Sequence, residues 1–480
     1  MASKSLERTA FWVTVLLVGA TVWIAPRLPL ADLPQHAGQI ALWHDLVRGA
    51  SPWQSLVYVN WFTPYLVGCA LALLLSFVLP VSAALKLLLM LAYFAFVGAC
   101  VLLHRRLGGD RRLDWLFVPG FFGLAYLYGF FPFLVALPIG VAFMVLAHRH
   151  AERPTSGSGA LLTGAGAILF FTHGLVFLFA GLSGGAFLLL ATRSFRRLLA
   201  AAVPYAALGL LCSVYFLLNT PGNAVFPVVA VPVRWETPFN ALNYLLFFPM
   251  GMPGRDWTDA PLVPLLLCVP WLLGCRIDWQ NKAALVPIGA LLLWMAIMPE
   301  EAFETFFVDT RFVALFLPFY ALMFTRAPVS VKREATAVIG MAALCWAFLA
   351  IQATRQLAFA TESHAFEEVL AAADPGQQAK QYVFDPASNA ALSPMAYTNY
   401  PLWYQAEKGG LVDFNFALFP TQVVRYREKK AEGATPGRKY RYYFVRSTRP
   451  LPADLFSGDA CRPVLRKKAD TWFLFESEKC

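Results

Sequence analysis

Between residues 9 and 353 the chain passes through one apolar stretch after another, at 9–25, 62–80, 83–103, 114–130, 131–147, 159–172, 174–192, 198–218, 261–275, 283–298, 312–325 and 335–353. A helix crosses the hydrocarbon of a bilayer with about 20 apolar residues, fewer where it is short or broken. This succession therefore reads as a set of membrane crossings. The chain is 58% hydrophobic and only 14% charged, which leaves too little polar surface to cover a water-soluble body of 480 residues. The pattern predicts a polytopic α-helical membrane protein with about 11–13 transmembrane helices, occupying residues 1–354.

Basic residues orient the crossings, because Lys and Arg accumulate in loops on the inner side. Arg105, Arg106, Arg111 and Arg112 lie between two runs, and Arg149 and Arg153 follow another. Then come Arg193, Arg196 and Arg197, Arg276 with Lys282, and Arg326, Lys332 and Arg333. Placing all of these inside leaves external loops at 219–260 and 299–311 and an external tail. Lys4 and Arg8 ahead of the first run read as an uncleaved signal anchor with its N-terminus inside, which makes the loop 26–61 external too. The two counts disagree by one crossing, since a crossing at 62–80 puts residue 32 on the inner side. A miscounted or re-entrant segment between 26 and 82 reconciles them.

After residue 354 polar and charged residues become frequent, and no apolar run exceeds the length of a strand. Residues 355–480 predict a soluble α+β domain, with a helix at 366–373 and strands at 381–384, 442–445 and 472–475. Cys69, Cys100, Cys212, Cys268, Cys275 and Cys345 lie in apolar runs as small packing residues. Only Cys461 and Cys480 lie in the tail. On an external face these two are expected to pair in a disulfide that pins the last strand, worth about 3 kcal/mol. The formal charge of +10 sits between apolar runs, where it meets lipid head groups. No basic run is interleaved with aromatics, so no nucleic-acid partner is expected.

Directly after the first run comes Asp32-Leu33-Pro34-Gln35-His36. An ionisable cluster at a membrane boundary is costly and marks a functional site by default. The residues admit a plainer reading. Asp32 suits a helix N-cap, Gln35 stands three residues on as in a capping box, Pro34 fits a first turn and Gly49 fits a C′ stop. Ile40, Trp43 and Val47 recur at helical spacing, so residues 32–49 predict an amphipathic helix along the membrane surface.

An Asp-x-Pro-x-His cluster directly after the first membrane helix resembles the first external loop of GT-C superfamily glycosyltransferases. These are polytopic enzymes that take sugars from polyprenyl-phosphate or polyprenyl-diphosphate donors. Gly129-Phe130-Phe131-Pro132-Phe133, Thr172-His173-Gly174 and Arg311-Phe312 are similar to recurring features of bacterial members. The likeness in layout covers residues 1–355. It implies a multi-pass enzyme of a bacterial inner membrane, with active site and tail facing the periplasm. Its partners would be a polyprenyl-phosphate-linked sugar, a lipid, glycan or protein acceptor, and membrane lipids.

Sugar transfer from a lipid phosphate needs a carboxylate to take the proton of the attacking hydroxyl and a cation to meet the charge on the leaving phosphate. Asp32 is the expected general base, since one oxygen can cap a helix while the other accepts a proton. Arg311 is the expected phosphate clamp, against the plainer reading of a snorkelling arginine paired with Asp309. His36 and His173 are expected to contact donor or acceptor, as are Glu300, Glu301 and Glu304 unless they form a solvated loop. Family members often carry paired acids in the first loop, whereas Asp32 has no acidic neighbour. A divalent metal ion is therefore left open, with Asp32 and His36 as its candidate ligands. Two rival functions fit the same scaffold. A flippase for a lipid-linked glycan would need paired broken helices with charges at the midplane. A non-catalytic assembly protein would need no reacting residues at all.

The charge pattern carries a test of its own. Reporters that work only outside the inner membrane should be active when fused after residue 480 and when inserted near Arg48. A tail reporter active only in the cytoplasm contradicts this arrangement.

Overall fold

A computed structural model describes residues 2–219, 233–251, 259–302, 305–326, 328, 330–427, 440–457 and 463–477. Helix α1 (Ala2–Ala20) is followed by α2 (Leu33–Val47), strand β1 (Val57–Val59) and α3 (Leu66–Ser76). Next come α4 (Val81–Arg106), 3-10 turns at Arg111–Phe117 and Gly120–Phe122, and the short α5 (Leu124–Tyr128). The bundle continues through α6 (Phe131–Glu152), α7 (Ser156–Thr172), α8 (Gly174–Ala191), α9 (Phe195–Leu218), α10 (Pro238–Phe247) and α11 (Leu262–Leu272). It closes with β2 (Arg276–Ile277), α12 (Lys282–Ile297), a 3-10 turn Thr310–Leu315 leading into α13 (Phe316–Leu322), β3 (Phe324–Thr325) and α14 (Val331–Glu362). Among the described residues six helices are long and apolar enough to cross a bilayer, and shorter apolar helices accompany them. Lipid offers helices no hydrophobic reason to associate, so close packing must do it. Gly19 and Gly166 provide it, since a Cβ on either would lie within 2.4 Å of Phe94 or Leu208.

Polar contacts mark the two ends of the bundle. At one end Arg106 pairs with Glu152, Arg112 with Asp110, and β2 pairs with β3. There too Asn281 donates to the Leu107 carbonyl at 2.7 Å, and Arg333 donates to carbonyls at the end of α11. These contacts gather the arginine-rich loops on one face. At the other end Asp32 N donates to the Tyr128 carbonyl at 2.9 Å and Arg355 pairs with Asp259 at 2.6 Å. Both ends of α3 lie on this second face. Thr63, just before it, donates to the Thr421 carbonyl of the tail, and Leu79 to Ser82, just after it, share a cavity with Glu367 and Glu407 of the tail. The stretch at 62–80 therefore runs along that face instead of crossing. A stretch with both flanks on one face fits the re-entrant alternative left by the charge count, and it puts Asp32, the first loop and the tail together.

Two of the expected spans are not simple helices. Residues 114–130 break into 3-10 turns and the short α5, around Pro119, Gly120 and Gly123, and the start of 312–325 is a 3-10 turn too. Irregular backbone survives at membrane depth only inside protein, where its polar groups find partners. Residues 112–126 and 310–315 are all buried. The two segments lie against each other, and a Cβ on Gly120 would sit 3.0 Å from the Ala314 carbonyl oxygen.

Helix α2 also departs from expectation. Residues 33–43 are buried on every side, so the helix is enclosed and does not lie on a membrane surface. Its glutamines serve the tail: Gln35 Oε1 accepts from Phe416 N and Gln39 Oε1 from Val424 N, each at 2.9 Å. Gly49, with φ +65°, ends the helix as its position predicts.

The tail contains α15 (His364–Ala372), β4 (Gln378–Val383), α16 (Leu402–Lys408), β5 (Leu411–Val412), β6 (Val424–Tyr426), β7 (Tyr442–Arg446), β8 (Pro463–Ala469) and β9 (Trp472–Ser477). Five strands form a mixed sheet in the order β5-β4-β7-β9-β8, parallel from β5 to β7 and antiparallel beyond. This is the expected α+β domain. Strand β6 leaves the sheet and pairs antiparallel with β1, so the first loop and the tail share a ribbon. Cys461 and Cys480 lie outside the described residues. Arg27 fastens the junction. Its side chain is 6% exposed, pairs with Glu367 and Glu407 of the tail, and lies 5.6 Å from the Trp403 ring centroid.

Removing Arg27 leaves two partly exposed carboxylates without their cation, which costs less than the ~3–5 kcal/mol of a fully buried pair because water screens them. Arg27→Met should therefore lower the detergent melting temperature and open the tail to protease. Adding Glu367→Gln and Glu407→Gln should restore most of the loss. An unchanged melting curve for the single variant contradicts the clamp.

Candidate active site

Asp32 opens α2 at the face shared with the tail. The chain passes close beneath it because Gly129 has φ +72°, and a Cβ there would lie 2.9 Å from Leu30 Cβ and 3.0 Å from Leu33 N. The Asp32 side chain caps nothing, and the capping box does not form. Instead Oδ1 accepts from Asn399 Nδ2 of the tail at 3.1 Å. Asn399 Nδ2 also donates to the Ala31 carbonyl at 3.1 Å, and its Oδ1 accepts from Gln35 Nε2 at 3.0 Å. Part of the residue's surface stays open, but its carboxyl is enclosed. Burial pushes it from the ordinary 3.8 up to about 7, while the Arg311 charge and the Asn399 hydrogen bond pull the other way.

Arg311 is the second residue of the 3-10 turn ahead of α13 and is 4% exposed. Its Nε donates to the Phe307 carbonyl at 2.8 Å and Nη2 to the Phe306 carbonyl. The guanidinium lies over the Phe130 ring at 4.3 Å and near Phe133 at 5.8 Å. Phe307 supplies its carbonyl from a left-handed conformation, φ +58°, which costs a non-glycine residue about 1–3 kcal/mol. Among the described residues Arg311 has no ion-pair partner. The plainer alternative, a local pairing with Asp309, is not found among the described residues: one Asp309 oxygen accepts from Thr310 N at 2.7 Å and the other has no hydrogen-bond partner there.

The two histidines flank this pair. His36 packs against Phe416 at 5.3 Å and Phe131 at 5.8 Å, and its buried Nδ1 has no partner. Burial pushes it down to about 3, so it is neutral at physiological pH. His173 forms the break between α7 and α8, with its ring 5.3 Å from those of Tyr65 and Phe133 and its buried Nδ1 also unpartnered. Tyr65 lies within electrostatic reach of both Arg311 and Asp32. The motif at 129–133 thus forms the aromatic floor on which Asp32, His36, His173 and Arg311 meet.

Two acids of the loop at 299–311 have a partner within the chain. Glu300 and Glu301 both pair with Arg234, at 2.7 and 2.9 Å, and Glu304 lies outside the described residues. Among the described residues no group of three or more His, Cys, Asp or Glu side chains is arranged to hold a metal ion. Asp32 and His36, the candidate donors, have no third beside them among those residues. Sequence reasoning missed Tyr65 and Asn399, and no spacing could have found Asn399, which lies 367 residues from Asp32.

No protein-family model and no curated protein matches the chain. Its fold is similar to that of ArnT from Cupriavidus metallidurans, a GT-C glycosyltransferase. The match to the apo structure has 10% sequence identity and a TM-score of 0.55, covering 99% of this chain and 98% of that one. The match to the structure bound to undecaprenyl phosphate has the same identity and TM-score and covers 98% of each chain. The protein therefore has a GT-C-like fold.

The raised carboxyl makes stability depend on pH in a set direction. The unfolded chain releases the Asp32 proton near 3.8 and the folded one near 7, so the folded state holds the extra proton between those values. Stability should fall as pH rises through that window. Asp32→Asn cannot ionise, so its melting temperature in detergent should gain on the unaltered protein between pH 5 and pH 8. An equal difference at both pH values contradicts the shift.

Proposed function

We propose that, on this GT-C-like fold, the protein is an integral membrane glycosyltransferase that moves a sugar from a polyprenyl-phosphate-linked donor to a hydroxyl of a lipid, glycan or protein acceptor. The observation that carries this reading is the buried guanidinium of Arg311, without an ion-pair partner among the described residues and close to Asp32. A buried cation lacking an anion is poorly compensated, and a phosphate supplies what it lacks in the fork geometry arginine prefers. A polyprenyl tail stays in the bilayer, so its phosphate arrives at the membrane boundary where these residues stand. The undecaprenyl phosphate bound by ArnT is a ligand of that chemistry.

In the reaction the acceptor oxygen attacks the anomeric carbon, Asp32 takes its proton, and the bond from carbon to phosphate oxygen breaks. Arg311 meets the charge that gathers on the departing phosphate. His36, kept neutral by burial, supplies a hydrogen bond without adding charge, and His173 supplies another. The tail and first loop line the same face, so the acceptor enters between them, on the periplasmic side of a bacterial inner membrane.

The flippase reading has one feature in its favour, because the two irregular spans are paired. Its charges are misplaced, however: Asp309 and Arg311 stand at the tail end of their segment and Asp110 to Asp114 at the opposite end of theirs, not at mid-depth.

The test is a mass increase on acceptors in membranes supplied with a pool of polyprenyl-phosphate sugars. Asp32→Asn should abolish transfer without loss of folded protein. Arg311→Gln should lower the rate by about 10²–10³-fold. The rate should rise with pH through about 7 as the base loses its proton. Near-normal transfer by Asp32→Asn removes Asp32 as the base, and no mass change with the unaltered protein favours the assembly-protein reading.

A further inference from the structure

We propose that Asn399 of the tail is the positioning residue for Asp32, holding its carboxylate away from the amides of α2 so that the tail domain completes the reacting centre. The inference rests on the reading of Asp32 as general base. An aspartate at a helix N-cap ordinarily turns back to accept from the second or third amide of the helix. Asp32 does not, although it stands at the N-cap of α2. What competes is an amide with every polar atom engaged. Asn399 Nδ2 donates to Asp32 Oδ1 and to the Ala31 carbonyl, both at 3.1 Å, and Oδ1 accepts from Gln35 Nε2 at 3.0 Å. The bond from Gln35 fixes which end of the Asn399 amide faces Asp32, since only Oδ1 can accept it. Gln35 is held in turn by Phe416 N, at 2.9 Å to its Oε1.

The relay therefore starts in the tail, passes through Gln35 of the first loop, returns to Asn399 and ends on Asp32. Asn399 is 4% exposed, so water does not compete for its amide. Its dipole does not change with pH, whereas a second carboxylate at this position would oppose ionisation of the first. The other charged or titratable groups acting on or acted on by Asp32 are Arg311, Tyr65 and Tyr128. Asn399 hydrogen-bonds to none of them. A change at Asn399 thus reaches the reaction through Asp32. The arrangement also explains why α2 is buried: the helix that carries the base is gripped by the domain that aims it.

The test uses the full-length protein in detergent or native membranes and has two arms. In the transfer assay, Asn399→Ala should lower kcat by about a hundredfold with little change in KM for the polyprenyl-phosphate donor. The acid limb of its pH–rate profile should move up by about one unit, the loss of one hydrogen bond to a charged group. Asn399→Asp should move it further, and Gln35→Ala should reproduce the Asn399→Ala effect in milder form. In an Asp32→Asn background the Asn399 change should remove no further activity. The second arm is independent of transfer. Infrared difference titration of the carboxyl that disappears in Asp32→Asn should place its midpoint higher in Asn399→Ala than in the unaltered protein. An unmoved midpoint in a folded variant overturns the proposal even if no transfer is ever detected. A moved midpoint without transfer leaves the positioning intact and defeats the enzyme reading instead. A loss of activity confined to KM, with kcat and pH profile unchanged, also overturns it.

Discussion

A carboxyl enclosed by protein at the edge of a bilayer loses the water that ordinarily solvates its charge, and only hydrogen bonds and opposite charge can replace it. Asp32 is held under that constraint, and much of the molecule is arranged around it. Tyr128 fixes its backbone, Asn399 binds its side chain and Arg311 supplies opposite charge nearby. The compensation is incomplete, so burial holds the carboxyl up at about 7. Full pairing with Arg311 would have locked it in the ionised form.

The same economy explains the union of tail and first loop. An enclosed acid needs partners from several directions, and a helix lying alone on the membrane surface could not provide them. The tail provides them by burying α2, pairing β6 with β1 and clamping Arg27 between Glu367 and Glu407. The irregular segments near residues 120 and 310 serve the site from below. Because protein covers them on all sides, their backbone can leave the helix without exposing polar groups to lipid. That freedom lets Gly129 pass beneath Asp32 and lets Phe306 and Phe307 turn their carbonyls to Arg311.

Several features were legible in the residues. Apolar runs announced the spans, arginine clusters announced a common face, and the strands at 442–445 and 472–475 stand where their β-branched and aromatic residues put them. The glycine and phenylalanines at 129–133 stood out as a motif, though their use as an aromatic floor could not be read from spacing. Other features misled. Asp32 and Gln35 make a good capping box in sequence, yet their side chains bind the tail, because a long-range partner with fixed geometry outcompetes a local amide. The run at 62–80 has the length of a crossing, yet both its flanks lie on one face.

The sequence by itself determined the class of the protein: a bundle of membrane helices with one polar domain, and a boundary cluster around Asp32. These follow from local quantities, namely the length of apolar runs, the spacing of charges and the preferences of single turns. Only the tertiary structure decided which residues accompany Asp32, that Arg311 reaches the site without an ion-pair partner among the described residues, and that the tail supplies Asn399. Those facts depend on which distant segments touch, and contact between residues 367 apart leaves no periodic trace in the chain.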